Sequence, residues 1–108
     1  MLKKTERLSR SLFTQYFAAG KRTHGLYTTI ITLPHQSFLC SVVVGKKVSK
    51  LSPKRNQIRR RIYGIVETIK QDKKFGGIFI IITKPPINTL SKAEFQIKVT
   101  EEVGRVLK

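Results

Sequence analysis

The feature that most constrains the fold is an unbroken apolar run late in the chain. Residues 76–83 read GGIFIIIT, and Pro85 and Pro86 follow almost at once. Because no polar residue interrupts Ile78–Thr83 until its last position, a strand formed by it must be covered on both faces. We therefore predict a central strand in a sheet. The run is also far shorter than the roughly 18 residues that a membrane-spanning helix needs.

Two earlier stretches rich in β-branched residues predict further strands. They are Leu26–Leu33, which ends before a proline, and Phe38–Val44, which begins four residues later. The short PHQS connection favours an antiparallel hairpin of the two. The pattern of Lys21–Thr23 fits a short strand as well as a loop, so this segment is left open.

Three helices complete the predicted order. A short amphipathic helix starts near Ser9 or Ser11 and ends at Gly20, and a long one runs from Pro53 to about Lys70. The last helix reaches the C-terminus, with Ser91 and Glu94 as a capping box and an apolar stripe of Phe95, Val99, Val103 and Val106. The order is helix, two or three strands, helix, strand, helix, which indicates an α+β fold in one domain over residues 1–108.

The charge balance indicates an anionic partner. The chain has 22 Lys and Arg against 6 Asp and Glu, a formal net charge of +16, and nucleic acid is the leading candidate. A single cysteine and two histidines exclude a disulfide scaffold and a structural zinc site. This composition fits a cytoplasmic protein that does not enter a membrane. The six acids are scattered without a catalytic spacing, so we predict neither a catalytic residue nor a metal site in the protein.

Residues 45–61, GKKVSKLSPKRNQIRRR, concentrate the positive charge. They hold eight Lys or Arg and no acid. Arg55 and Arg59 stand at i and i+4, where like charges destabilise an isolated helix, and nothing acidic in the segment offsets them. An external polyanion is the simplest compensation, because arginine forks suit phosphate oxygens and Asn56 can both donate and accept.

This segment resembles the signature of the bacterial ribonuclease P protein subunit. That signature is a Lys-Lys pair after a strand, then a helix opening Arg-Asn-x-x-[Lys/Arg]-Arg. Here Lys46 and Lys47 follow FLCSVVVG, and residues 55–60 read RNQIRR, with Gln57 at the second arginine position of the motif. The likeness covers nearly the whole chain: Arg7-Leu8, the Phe13 and Phe17 pair before Gly20, the hairpin, IFIIIT with KPP, and a closing helix.

The resemblance implies a fold and a function. The fold is an α-β sandwich of order αβββαβα, with the basic helix in a left-handed crossover between parallel strands. In that family the catalyst is an RNA that uses Mg²⁺, and the protein assists it in removing the 5′ leader of precursor tRNA. The expected partners are therefore ribonuclease P RNA and precursor tRNA, and we predict no protein partner.

The resemblance also implies two RNA-binding surfaces. The first faces the catalytic RNA and comprises Lys54, Arg55, Asn56, Arg59, Arg60 and Arg61. The second holds the single-stranded leader and comprises Phe13, Phe17, Lys46 and Lys47. Exposed aromatics beside basic groups suit unpaired nucleotides of any sequence. From the helical pattern alone, the two phenylalanines fit the protein core better than a cleft.

Two other functions remain open at this point. A small ribosomal or ribosome-assembly protein shares the size, the charge and the mixed architecture, and binding to ribosomal RNA without an effect on tRNA processing would indicate it. A stand-alone nuclease is disfavoured because the sequence shows no acidic metal cluster.

Overall fold

The structure is a computed structural model that describes residues 10–71 and 76–107. Its elements are α1 (Arg10–Phe17), β1 (Lys21–His24), β2 (Thr28–Leu33), β3 (Phe38–Val43), α2 (Ser52–Gln71), β4 (Gly77–Thr83), a 3-10 helix (Pro85–Thr89) and α3 (Lys92–Val106). The predicted α+β class and element order are confirmed, and residues 21–24 form a strand. The candidate N-cap Ser9 and the Arg7-Leu8 pair lie outside the described residues.

The four strands form one sheet in the order β1-β2-β4-β3. β4 pairs antiparallel with β2 and parallel with β3, so the predicted central position of the apolar run is confirmed. The predicted hairpin of β2 with β3 is wrong, because β4 lies between them. A strand that is apolar on both faces belongs in the middle of a sheet, and it therefore takes the place that a hairpin partner would occupy. The helix α2 connects the parallel strands β3 and β4; the left-handed sense of this crossover stays a prediction.

One side of the sheet, called the inner face here, packs against α2 and α3. Successive side chains of β3 and β4 point to opposite sides of the sheet, and Cys40 and Ile81 point to the inner face and are fully buried. The helices contribute apolar stripes at helical spacing. The buried side chains on these stripes are Ile58, Ile62, Ile65 and Val66 of α2 and Phe95, Val99 and Val103 of α3.

The opposite side, called the outer face here, packs against α1. Its fully buried centre is formed by Ile31, Ile78 and Ile80. Around this centre lie side chains that are only partly buried: Phe13, Tyr16 and Phe17 of α1 and Leu33, Leu39, Val43 and Ile82 of the sheet. Gly20 follows α1 and passes so close to β2 that a Cβ there would overlap the side chains of Ile31 and Leu33. A glycine at this position therefore lets the chain pass close to β2 as it leaves α1.

The helix boundaries follow local chemistry. The capping box of Ser91 and Glu94 is present at the start of α3, as predicted. The pKa of Glu94 is lowered mainly by the hydrogen bond from the Ser91 amide and to a lesser extent by the one with the Ser91 hydroxyl. α2 begins at Ser52, one residue before the predicted start, and the Arg55 amide donates to the Leu51 carbonyl oxygen at 3.1 Å. Within the described ranges, no helix combines the length and apolar character needed to cross a membrane.

Candidate nucleic-acid interface

The loop between β3 and α2 is held in place by Arg55. Its guanidinium donates to the Ser49 carbonyl oxygen at 2.9 Å and to the Ser52 hydroxyl at 2.8 Å. On the other side of the loop, Val48 is buried, and its carbonyl accepts from the Asn88 side chain at 3.0 Å. Arg55 was predicted to bind RNA; the structure shows that two of its donors already organise the loop that precedes the basic helix.

The exposed face of α2 presents Asn56 and Arg60. Both side chains are exposed, as the helical spacing predicts, while Ile58 between them is buried. Arg59 is half-buried and donates to the Asn56 side-chain oxygen at 2.6 Å. This bond fixes the Asn56 amide through its oxygen and leaves the amide nitrogen as a donor for a ligand. Arg60 makes no hydrogen bond or ion pair with any described residue, so all the N–H donors of its guanidinium are available to a ligand.

The flanking cations of α2 have neighbours of their own. The Lys54 ammonium lies 3.4 Å from the Gln57 side-chain oxygen. The Arg61 guanidinium lies 5.6 Å from the centroid of the Phe95 ring, at a shallow cavity of about 450 Å³ between α2 and α3. Arg61 therefore points to the side of the helix that faces α3, away from the exposed strip of Asn56 and Arg60.

Lys46 and Lys47 lie in the turn that follows β3. Both are exposed, and the turn is closed by a hydrogen bond from the Val48 amide to the Gly45 carbonyl at 3.1 Å. β3 and β4 run parallel, so this turn lies at the same edge of the sheet as Lys84, the first residue after β4. The carboxyl edge of the two parallel strands is thus a cationic edge.

The aromatic pair of α1 lies on the outer face. The Phe13 and Phe17 ring centroids are 5.4 Å apart, and both side chains are half-buried. The Arg22 guanidinium of β1 lies 4.9 Å from the Phe17 ring centroid. The rings therefore pack on the sheet and keep part of their surface exposed, and the binding of a leader by them stays a prediction.

The outer face connects this aromatic pair to the cationic edge. Gly20, after α1, lies against Ile31 of β2, which pairs with Ile80 near the middle of β4. Lys46 and Lys47 lie beyond the carboxyl end of β3. The four predicted leader-binding residues thus lie on α1, over the outer face, and in the turn that follows β3.

One residue with a structural role was missed by the sequence analysis. The Glu102 carboxylate accepts from the amides of Tyr27 and Thr28, at 3.0 Å each, and from the Thr28 hydroxyl at 2.8 Å. It thereby fastens α3 to the turn between β1 and β2. The sequence contains a signal for this role. Glu102 lies three residues after Val99 on the apolar stripe of α3, where a carboxylate needs hydrogen-bond donors around it.

No nucleophile or metal centre is evident among the described residues. Burial raises the pKa of the Cys40 thiol to about 12, so this cysteine is neutral at physiological pH. Within the part of the chain that the structure describes, no three His, Cys, Asp or Glu side chains group so that they could hold a metal ion. The described residues therefore do not form a site that would hold Mg²⁺.

Comparison with known proteins gives a consistent result. The family model for ribonuclease P matches residues 2–107. The ribonuclease P protein component of Microcystis aeruginosa is 31% identical over 83 residues, which are 70% of this chain and 68% of that protein. The RNase P protein from Thermotoga maritima has a TM-score of 0.80 at 22% identity, with 95% of this chain and 96% of that one covered. The Staphylococcus aureus RNase P protein has a TM-score of 0.78 at 18% identity, with coverages of 96% and 94%.

Proposed function

Because the chain belongs to the ribonuclease P protein family, we propose that it is the protein subunit of a ribonuclease P and assists an RNA catalyst in removing the 5′ leader of precursor tRNA. The observation that supports this most strongly is the acid-free basic segment 45–61, whose exposed strip of Asn56 and Arg60 lies on a helix packed firmly on the sheet. A rigid helix presents its donors in fixed positions, which suits a folded RNA partner.

The contact with the catalytic RNA is assigned to α2 and its preceding loop. Arg60 and the Asn56 amide nitrogen are the free donors, and Arg59 positions Asn56. Arg55 fixes the loop through Ser49 and Ser52, so its removal would also disturb the residues around it. Each lysine or arginine that neutralises a phosphate releases counterions, and binding should therefore fall steeply as the salt concentration rises.

The contact with the leader is assigned to the outer face. A single strand can stack bases on the exposed parts of Phe13 and Phe17 and place its phosphates near the cationic edge at Lys46 and Lys47. Stacking on aromatic rings tolerates any base, as leaders of differing sequence require. The protein then holds the leader beside the catalytic RNA and neutralises the phosphate repulsion between the two RNAs, which broadens substrate recognition.

The same neutralisation lowers the demand for magnesium. We assign Mg²⁺ to the RNA, because the described acids and histidines do not group into a metal site. Cationic side chains such as Arg60 take over part of the screening that Mg²⁺ would otherwise supply between closely packed phosphates. No catalytic residue is assigned to the protein.

The two surfaces can be tested separately. Arg60→Ala should weaken binding to ribonuclease P RNA and lower the slope of log affinity against log salt by about 1, whereas Lys98→Ala, an exposed cation on α3, should change neither. Phe17→Leu keeps the apolar bulk and removes the ring. It should reduce the preference for precursor over mature tRNA by roughly fivefold.

Affinities are measured by titration of the RNA at several salt concentrations. Equal losses in both assays for Arg60→Ala and Phe17→Leu would contradict the division into two surfaces. Strong binding to ribosomal RNA, with no discrimination between precursor and mature tRNA, would instead indicate a ribosome-associated protein.

A further inference from the structure

Leu51 is an exposed apolar side chain inside the basic segment. Its side chain is 68% exposed, and only two other large hydrophobic residues among those described, Leu26 and Ile97, are comparably exposed. A single exposed leucine is ordinary on a protein surface. What distinguishes Leu51 is how firmly it is held and which charges surround it.

The backbone at Leu51 is fixed on both sides. Its amide donates to the Ser49 hydroxyl at 3.2 Å, and its carbonyl accepts from the Arg55 amide at 3.1 Å. The Arg55 guanidinium further ties Ser49 to Ser52 across Leu51. Most of the entropy cost of ordering this loop is therefore met in the free protein, and a partner that covers Leu51 gains most of the burial energy.

The charges around the three exposed residues differ. Leu51 stands between Lys50 and Lys54 in a segment without an acid. Ile97, in contrast, has Glu94 and Glu101 at i−3 and i+4 on the same helix. Leu26 lines a cavity in which the acids Glu101 and Glu102 lie beside the cations Lys98 and Arg105. Of the three exposed residues, Leu51 is therefore the one that lies in a basic segment without an acid.

We propose that Leu51 packs against an unpaired base of the partner RNA and gives the α2 contact an apolar component beside its phosphate contacts. Apolar side chains that proteins present beside basic residues can contact unstacked bases, whose faces are apolar although the phosphates are charged. The site extends the surface of Asn56 and Arg60 to the loop before the helix, and it rests on the proposed function. It adds a preference for an unpaired nucleotide at one place in the RNA, which phosphate contacts cannot supply.

The salt dependence separates this contact from its cationic neighbours. Leu51→Ser should weaken binding to ribonuclease P RNA by roughly three- to tenfold. The loss should be the same at every salt concentration, because an apolar contact releases no counterions. Arg60→Ala, titrated beside it, should instead lower the slope by about 1. Leu51→Met should bind as the wild type does, since it keeps the apolar volume.

Ile97→Ser is the matched control, because it removes a hydrophobic residue of similar exposure, 60%, from another surface. Thermal unfolding of Leu51→Ser should match the wild type, since serine is a favourable residue at a helix start and the leucine is exposed. Wild-type affinity in Leu51→Ser, a loss equal to that of Ile97→Ser, or a lowered salt slope would overturn this inference and leave the proposed function standing. A wild-type protein that does not bind ribonuclease P RNA would overturn both.

Discussion

The inner face of the sheet is sealed, whereas the outer face is not. On the inner face two helices of 20 and 15 residues cover the strands, and Cys40 and Ile81 are inaccessible to solvent. On the outer face the described chain places the eight-residue helix α1, and Leu39, Val43 and Ile82 stay partly exposed. The strands β2, β3 and β4 supply side chains to both faces. The difference therefore arises from the helices and not from the composition of the sheet.

This difference separates the source of stability from the site of proposed binding. A sealed apolar layer stabilises the fold, because hydrophobic stabilisation scales with the area removed from water. A partly open layer with two aromatic rings retains surface that a ligand can still cover. If this division is correct, variants of the two faces should affect different properties.

The largest effect is expected from two adjacent isoleucines of β4. Ile81 points to the sealed inner face with no exposed surface, and Ile82 points to the outer face and is half-buried. Ile81→Ala should lower the free energy of unfolding by about 3 kcal/mol, and Ile82→Ala by only about 1 kcal/mol. Urea denaturation of both variants measures the difference. Equal losses would show that the two faces are equally sealed.

An intermediate effect is expected where Glu102 closes the inner face. Glu102→Ala leaves the Tyr27 and Thr28 amides and the Thr28 hydroxyl without their acceptor, and should lower the free energy of unfolding by about 2 kcal/mol. Glu101→Ala, which removes the exposed neighbouring carboxylate, is the control and should have almost no effect. A Glu102→Ala protein as stable as the control would mean that α3 does not need this fastening.

At neutral pH the smallest effect is expected from the ionisation of Cys40 on the inner face, because its effect on stability appears only at high pH. Burial raises the pKa of Cys40 from 9.0 to about 12, so the thiol ionises in the unfolded chain before it does in the folded one. Stability is therefore fully present below pH 9 and falls as the pH rises towards 12, by about 1.4 kcal/mol per pH unit from this group. Denaturation of the wild type and Cys40→Ala across this window isolates the contribution. Parallel profiles would indicate that water reaches the thiol.

Much of the fold follows from local patterns. The apolar run predicts the central strand, since β4 is buried on both faces, and the capping box places the start of α3. Which strands pair with each other could not be predicted from these patterns. The β-branched residues within Leu26–Leu33 and Phe38–Val44 indicate strands but do not specify their neighbours, and β4, which comes later in the chain, separates them.

For the candidate site, too, some features follow from the sequence and others do not. Exposure of Asn56 and Arg60 follows from helical periodicity, because it depends only on their spacing from the buried isoleucines. The local role of Arg55 does not follow from the sequence, since it depends on where the loop brings Ser49. The position of the aromatic pair relative to Lys46 likewise depends on the pairing of strands, which the sequence pattern does not specify.

The most direct test of the account is cleavage of a precursor tRNA by a bacterial ribonuclease P RNA at low magnesium, with and without this protein. The account predicts that correct 5′ maturation is strongly stimulated by the protein, and that Arg60→Ala loses this stimulation at limiting protein concentration. If the folded protein gave no stimulation with a cognate RNA, while Arg60→Ala behaved as the wild type, the proposed subunit role would be contradicted.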